Sequence, residues 1–306
     1  MFKPNHLTRF FTLAPFVLMF VSCNALVEDE FPDFESTPVM NGILQADSTL
    51  SVQISLAANL SDTMPDFVDN ALVVIEDQNQ TIDTLRYTDE GWYVSPRIVK
   101  AGYNYTCRVN IPGFNTMMAQ TTVPLPTEID SIIFTELAGR GQEGEKISSV
   151  VFRLHNNVET EKFWEVRFKK RWFGSLYDWD LENWVERSQV DETYIFMKAE
   201  QDSVLLSEPN PLTVFSNRKM KSDRHWIKFY FSENYFSFGR TDTLFIELQN
   251  IDESYYHYHK QYYIYESAGW GGIGTFPQRY PLYSNVTNGL GIFTGMSVTK
   301  KNLFSE

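Results

Sequence analysis

The sequence predicts a mostly β protein made of two consecutive antiparallel β-sandwich domains of the immunoglobulin or transthyretin kind, the second with one inserted helix. Three observations predict it. Apolar and polar residues alternate with period two along most of the chain. Proline and glycine punctuation separates short strand-like runs. Helical signals gather in a single stretch, Ile251 to Ser267. With 43% hydrophobic and 15% aromatic residues in 306, the chain can bury a substantial core.

The amino terminus has a different character. Met1 to Arg9 is short and basic, with Lys3 and Arg9 and no acid, and Phe10 to Val21 is almost wholly apolar, which is the layout of a secretory signal. The apolar run is shorter than the roughly 20 residues a membrane-spanning helix needs, and Pro15 would weaken such a helix. Phe20-Val21-Ser22-Cys23 resembles a lipobox, although Phe20 stands where leucine is usual. The expectation is a lipoprotein signal peptide over residues 1–22, cleavage before Cys23, and lipid on that thiol; the alternative is a soluble secreted protein. Once Cys23 is lipidated, Cys107 has no disulfide partner in its own chain. Residues 23–37 follow as an acidic, proline-broken tether containing Glu28, Asp29, Glu30 and Pro32.

A first sandwich is expected over residues 38–124. Leu50, Val52, Ile54 and Leu56 share one face of a strand. Ala71 to Glu76 and Thr81 to Tyr87 are two further strands around the polar Asp77 to Gln80. Tyr103 to Val109 alternates again, which puts Cys107 on a face with Tyr103, Tyr105 and Val109 as a buried, unreactive thiol. Pro112-Gly113 turns the chain into a closing strand, Met117 to Val123.

Pro124-Leu125-Pro126 marks a boundary, and residues 125–306 form the second β-rich domain. Its strands are expected at Ile129 to Leu137, Ser149 to Leu154, Phe163 to Trp172, Thr193 to Lys198, His225 to Phe231 and Thr243 to Gln249, with a glycine-rich charged loop at Ala138 to Lys146. The helix falls near 252–267, with Asp252 or Ser254 as its cap. Its tyrosines at 255, 258, 262 and 265 form a stripe expected to face the core. Ser284 to Gly291 can make tight turns, with Asn285 bracing its own turn, before a terminal strand from Ile292 to Val298.

Pro38 to Leu44, Ile251 to Tyr258 and above all Tyr283-Ser284-Asn285-Val286-Thr287-Asn288-Gly289-Leu290-Gly291-Ile292-Phe293 resemble the Bacteroidota lipoproteins that carry domain of unknown function 4249. The resemblance covers nearly the whole mature chain. It implies an outer-membrane lipoprotein, of a kind often encoded beside TonB-dependent receptors, and brings no activity with it. Acidic residues soon after the lipidated cysteine also resemble the Bacteroidota signal for export to the outer face of that membrane.

Charge narrows the partners. The formal charge is −13, and residues 1–22 hold two bases and no acid, so the mature chain is more acidic still, which argues against nucleic acid. The densest basic run, Lys169-Lys170-Arg171, reads as a solvated strand end. No catalytic serine elbow, zinc helix or phosphate loop is present, and Gly269 to Gly274 follows a helix instead of opening one. His257 and His259 are two apart and make a poor metal pair. No enzyme activity, metal or cofactor is expected.

The most suggestive local chemistry is Arg171 to Trp184. Trp172, Tyr177, Trp179 and Trp184 stand among Asp178, Asp180, Glu182 and Asn183, a mixture that can stack on flat apolar faces while accepting hydrogen bonds. Two alternatives accompany it: aromatics that merely cover the second sandwich, and a calcium loop using Asp178, Asp180 and Glu182. Two function classes follow. One is an accessory binding module, held on the membrane by lipid at Cys23, with this segment as its contact for a ligand or a TonB-dependent receptor. The other is a structural or adhesive envelope protein.

Overall fold

The structure is a computed structural model and describes residues 36–57, 65–77, 80–156, 159–234, 242–269 and 282–303. The signal segment, Cys23, the acidic tether and most of the Gly269 to Gly274 segment lie outside these residues.

Period-two alternation becomes pairing from the first described residues. β1 (Pro38–Gln45) and β2 (Thr49–Leu56) are antiparallel, with Met40, Leu44, Leu50, Val52 and Ile54 inward. β3 (Asp66–Phe67), β4 (Leu72–Asp77), β5 (Gln80–Thr84), β6 (Arg86–Tyr87), β7 (Trp92–Ile98), β8 (Asn104–Asn110) and β9 (Met117–Thr122) complete the first half. β7 carries no clear alternation in sequence. Pro96 removes a donor, and the β2–β7 register shifts beside it, between the Leu50–Ser95 and Thr49–Ile98 pairs. Cys107 is fully buried beside Tyr105 and Val109, as its face predicts, whereas Tyr103 is exposed.

The second half contains β10 (Ile129–Arg140), β11 (Lys146–His155), β12 (Phe163–Asp178), β13 (Asn183–Thr193), β14 (Phe196–Met197), β15 (Val214–Ser216), β16 (Arg224–Ser232), β17 (Thr243–Ile251), α1 (Glu253–Gly269) and β18 (Leu290–Asn302). The glycine-rich segment expected as a loop from 138 to 146 is mostly ladder. A register shift between Thr135 and Gly139 lets pairing resume, and the turn shrinks to the residues between Gly141 and Glu145. The strand expected from Thr193 to Lys198 is reduced to β14, because Thr193 instead closes β13 against Phe168.

Three sheets result. The largest runs β13-β12-β17-β18-β1-β2-β7-β6, with β15 beside β12 and β3 beside β2; the others run β10-β11-β16-β14 and β5-β4-β8-β9. The protein is thus mostly β with several antiparallel sheets and one α-helix among the described residues. Two separately built antiparallel sandwiches do not describe its connectivity. β18 returns to pair in parallel with β1, from Val39–Leu290 to Gln45–Met296, so one sheet passes through both halves. Val286 and Phe293, late in the chain, accordingly belong to the core of Met40, Val52, Ile75 and Cys107. A second core gathers Phe152, Trp164, Phe168, Phe229, Phe231 and Leu248.

The helix corrects one expectation. Asp252 caps it, its Oδ1 accepting from Tyr255 N at 2.9 Å. Tyr255 and Tyr256 seat it against Phe163, Val214, Ile251 and Met296. The tyrosine stripe leaves the core along its length: Tyr258 and Tyr262 are half-buried and Tyr265 is 49% exposed. Only the first turns of α1 lie on the sheet, so an i, i+3, i+7 pattern outruns the surface available to cover it.

Candidate functional site

The sheet shapes the aromatic segment. β17 ends at Thr243 opposite Arg171, and from there β12 and β13 continue together as a paired ribbon, matched from Arg171–Val190 to Asp178–Asn183. Opposed residues in such a ladder share a face. One face therefore carries Phe173, Tyr177, Trp184 and Val190, interspersed with Ser175, Glu186 and Ser188. At the tip, Asp178 Oδ1 accepts from Asp180 N at 3.0 Å and Leu181 N at 3.2 Å, forming an Asx turn, and its Oδ2 accepts from Arg187.

This turn throws Trp179 outward, 83% exposed, with Trp184 at 65% and Phe173 at 71%. Tyr177 meets both tryptophans edge-on, with ring centroids 4.8 Å from Trp179 and 5.6 Å from Trp184. The structure therefore brings together three of the four aromatics expected from sequence. Trp172 lies on the opposite face, half-buried, with its Nε1 donating to Asp191 at 2.8 Å. Phe173 and Leu181 join the exposed group instead; counting by two from Tyr177 back to Phe173 is the signal that finds the first. Aromatics lying flat on the second sandwich do not describe Trp179 or Trp184. Calcium finds little here, since Arg187 and two amides engage Asp178, and no metal-holding group of three His, Cys, Asp or Glu occurs among the described residues.

The two lysines of the basic run are answered by carboxylates. Lys169 faces Glu247 at 2.6 Å and Glu192 at 3.7 Å, and Lys170 faces Asp191 and Asp242. Arg171, the exposed third member of the run, lies over the Phe245 ring with its guanidinium carbon 5.8 Å from the centroid.

The segments that carry the family resemblance meet at a second place. Asn285 Oδ1 accepts from Phe293 N at 2.9 Å while its Nδ2 donates to Phe293 O at 2.7 Å, Ser254 Oγ at 3.1 Å and Gln120 O at 3.3 Å. Asp252 accepts from Thr121 of the first half and Thr294 of the last strand. Burial raises the Asp252 carboxyl above its usual range, although the Thr121 and Thr294 hydroxyls pull the other way. Met118 and Thr287 exchange main-chain bonds, and Asn288 reaches Thr116 O. This clasp forms one wall of a cleft of about 1080 Å³ lined by Thr106, Gln120, Thr122, Lys162 and Ser254 among others. Asn285 thus braces the last strand, the helix start and β9, whereas within its own turn the Ser284 hydroxyl accepts from Val286 N.

Other reactive groups are likewise occupied. Burial pushes the Cys107 thiol far up, away from nucleophilic chemistry. His257 pairs with Glu253, and the His259 ring packs tilted against Tyr255, centroids 4.3 Å apart. Sequence gave no hint of Lys260, which burial lowers to about 8 against the opposing pull of Glu208. Its ammonium donates to the carbonyls of Pro209, Pro211 and Val214, so all three protons are used in holding α1 to the start of β15 and the segment before it. Among the described residues no helix is long and apolar enough to cross a membrane.

The sheets and the ribbon define a mostly β protein with exposed aromatic side chains on the hairpin of β12 and β13. The chain belongs to the family described as domain of unknown function DUF4249, whose profile matches residues 26–302. No curated protein matches it.

Proposed function

We propose that this protein is a non-catalytic accessory module, anchored by lipid on Cys23 to the outer membrane and facing the cell exterior, which binds through the ribbon of β12 and β13. In this reading the fold is a pair of sandwich-like halves joined through one sheet, which carries the ribbon as an arm. The exposed cluster of Phe173, Tyr177, Trp179 and Trp184 carries the proposal. Large aromatics with polar neighbours are the side chains that dominate protein contacts, and water is a poor environment for so much apolar surface on one thin element. The signal-like start, Cys23 and the acidic tether supply the anchor, and a TonB-dependent receptor in nutrient uptake is the proposed partner.

The test is an affinity pull-down of the lipidated protein from detergent-solubilised outer membrane, wild type against Trp179→Ala with Trp184→Ala. Recovery of a TonB-dependent receptor that disappears in the double variant is the expected result. Recovery of the bait alone from both would replace this reading with a structural or adhesive role in the envelope.

A further inference from the structure

We infer that the outer edge of β13 accepts an added strand from a partner protein, one that alternates apolar residues and brings basic side chains to the acidic tip. The inference rests on the binding-module reading and specifies how its arm would engage.

The geometry starts from alternation. On the side of β12 that faces β13 and β15, Val166 N donates to Thr213 O. Even-numbered residues of β12 therefore direct their main chain toward β13, and in the regular register their partners are Asn183, Val185, Arg187, Gln189 and Asp191. Trp184, Glu186, Ser188 and Val190 then direct N–H and C=O away from β12, and no described strand pairs on that side. Apart from the Trp184 N–H, which donates to Asn183 Oδ1 at 2.9 Å, this is a row of main-chain groups with no strand partner next to an exposed apolar face.

The two long edge strands differ in their protection. β10 is also an edge, but its pairing with β11 is broken by two register shifts, which twist such an edge away from new partners. β13 runs without a shift against β12 and contains neither lysine nor proline, although Glu186, Arg187, Asp191 and Glu192 put charge along it. A two-stranded ribbon is also only marginally stable alone in water. A third strand supplies both the missing hydrogen bonds and cover for Phe173, Tyr177, Trp184 and Val190.

Charge selects the occupant. Asp178, Asp180 and Glu182 crowd the tip, and only Asp178 has an answering cation, in Arg187. A second copy of β13 paired antiparallel about Ser188 would set Glu182 opposite Tyr194 and diagonal to Glu192, so self-association brings no cation of β13 to the acidic tip. A strand ending in Lys or Arg meets the tip favourably.

The experiment uses the full lipidated chain in detergent and, as probe, a synthetic peptide that alternates valine with threonine and ends in lysines. Binding is expected to shift tryptophan emission to the blue and to slow amide exchange at Glu186, Ser188 and Val190. Ser188→Pro removes one outward N–H and should weaken binding about tenfold or more, while Ser188→Ala retains it. Because proline could disturb the ribbon itself, Asp180→Lys with Glu182→Lys gives an independent check: the lysine-ended peptide should bind about tenfold weaker and a glutamate-ended one correspondingly tighter. Unchanged exchange at those three amides with peptide bound, or equal affinity for both peptides, overturns strand addition. Receptor capture that is lost with the tryptophans but kept in Ser188→Pro overturns strand addition alone. Peptide binding along the edge without receptor capture by the wild type overturns only the receptor reading.

Discussion

At the scale of single residues, Asn285 is the side chain on which most depends. Both its amide atoms are committed to Phe293, and its Nδ2 also reaches Ser254 and Gln120, so one residue ties the last strand, the helix start and β9. Asn285→Ala should lower stability by about 2–3 kcal/mol, since several main-chain groups lose their partner together. Asn285→Asp should do no better, because a carboxylate keeps the bond from Phe293 N but sets an oxygen against two carbonyl oxygens. Urea midpoints of the two variants measure both, and an alanine variant as stable as wild type would refute the clasp. Gly291 guards the same place: its φ of +104° and the 2.1 Å approach of a built Cβ to Met40 O leave no room for a side chain. The Ser284 to Gly291 run made these turns legible in sequence. What stayed hidden was the set of long-range acceptors, Gln120 O and Ser254 Oγ, because no local pattern records what a turn will meet. Lys260 was hidden for the same reason.

At the scale of elements, the strands were readable wherever alternation was clean, as in β2 and β8, and unreadable where proline interrupts it, as in β7. The helix shows how a correct periodicity can mislead. The tyrosine stripe is real, but the sheet beneath it ends. Tyr255→Ala should therefore cost about 3 kcal/mol or more, since it empties a packed site and strips Glu165 of a 2.8 Å hydrogen bond, while Tyr265→Ala should stay within about 0.5 kcal/mol. Equal losses in thermal unfolding would restore the stripe to the core. Neighbouring strands set a pH dependence. Burial alone would raise the Glu247 carboxyl, but the ammonium groups of Lys169 on β12 and Lys300 on β18 outweigh it and hold that carboxyl below its usual range. A depressed folded pKa means the unfolded chain binds the proton more readily, so this stabilisation is complete above the ordinary glutamate value of about 4.3 and is lost as the pH falls through the lower folded value. Glu247→Gln should flatten the acid limb of stability, read as urea midpoints against pH, and leave its neutral limb dependent only on the lost ion pairs.

At the scale of the molecule, the decisive fact is the parallel pairing of β18 with β1. Sequence suggested two sandwiches in succession because strand patterns are local and the Pro124-Leu125-Pro126 punctuation is conspicuous. No pattern in a single sequence tells a last strand to return beside the first. That return makes the amino-terminal core incomplete without Val286 and Phe293, and the Phe293 ring fills the space above Gly42, 2.9 Å from where a Cβ would stand. Residues 36–306 accordingly group as one unit by their contacts. The expected outcome is a single cooperative unfolding transition, with the calorimetric and van't Hoff enthalpies in agreement. Phe293→Ala should lower that one transition by about 3–5 kcal/mol instead of splitting off a first-half transition. A fragment ending at Pro124 should remain unfolded, because β1 would expose one edge and its core would lack an aromatic ring. If that fragment gave dispersed amide resonances by itself, the halves would be independent domains, and β18 would be a strap laid across a sandwich already complete.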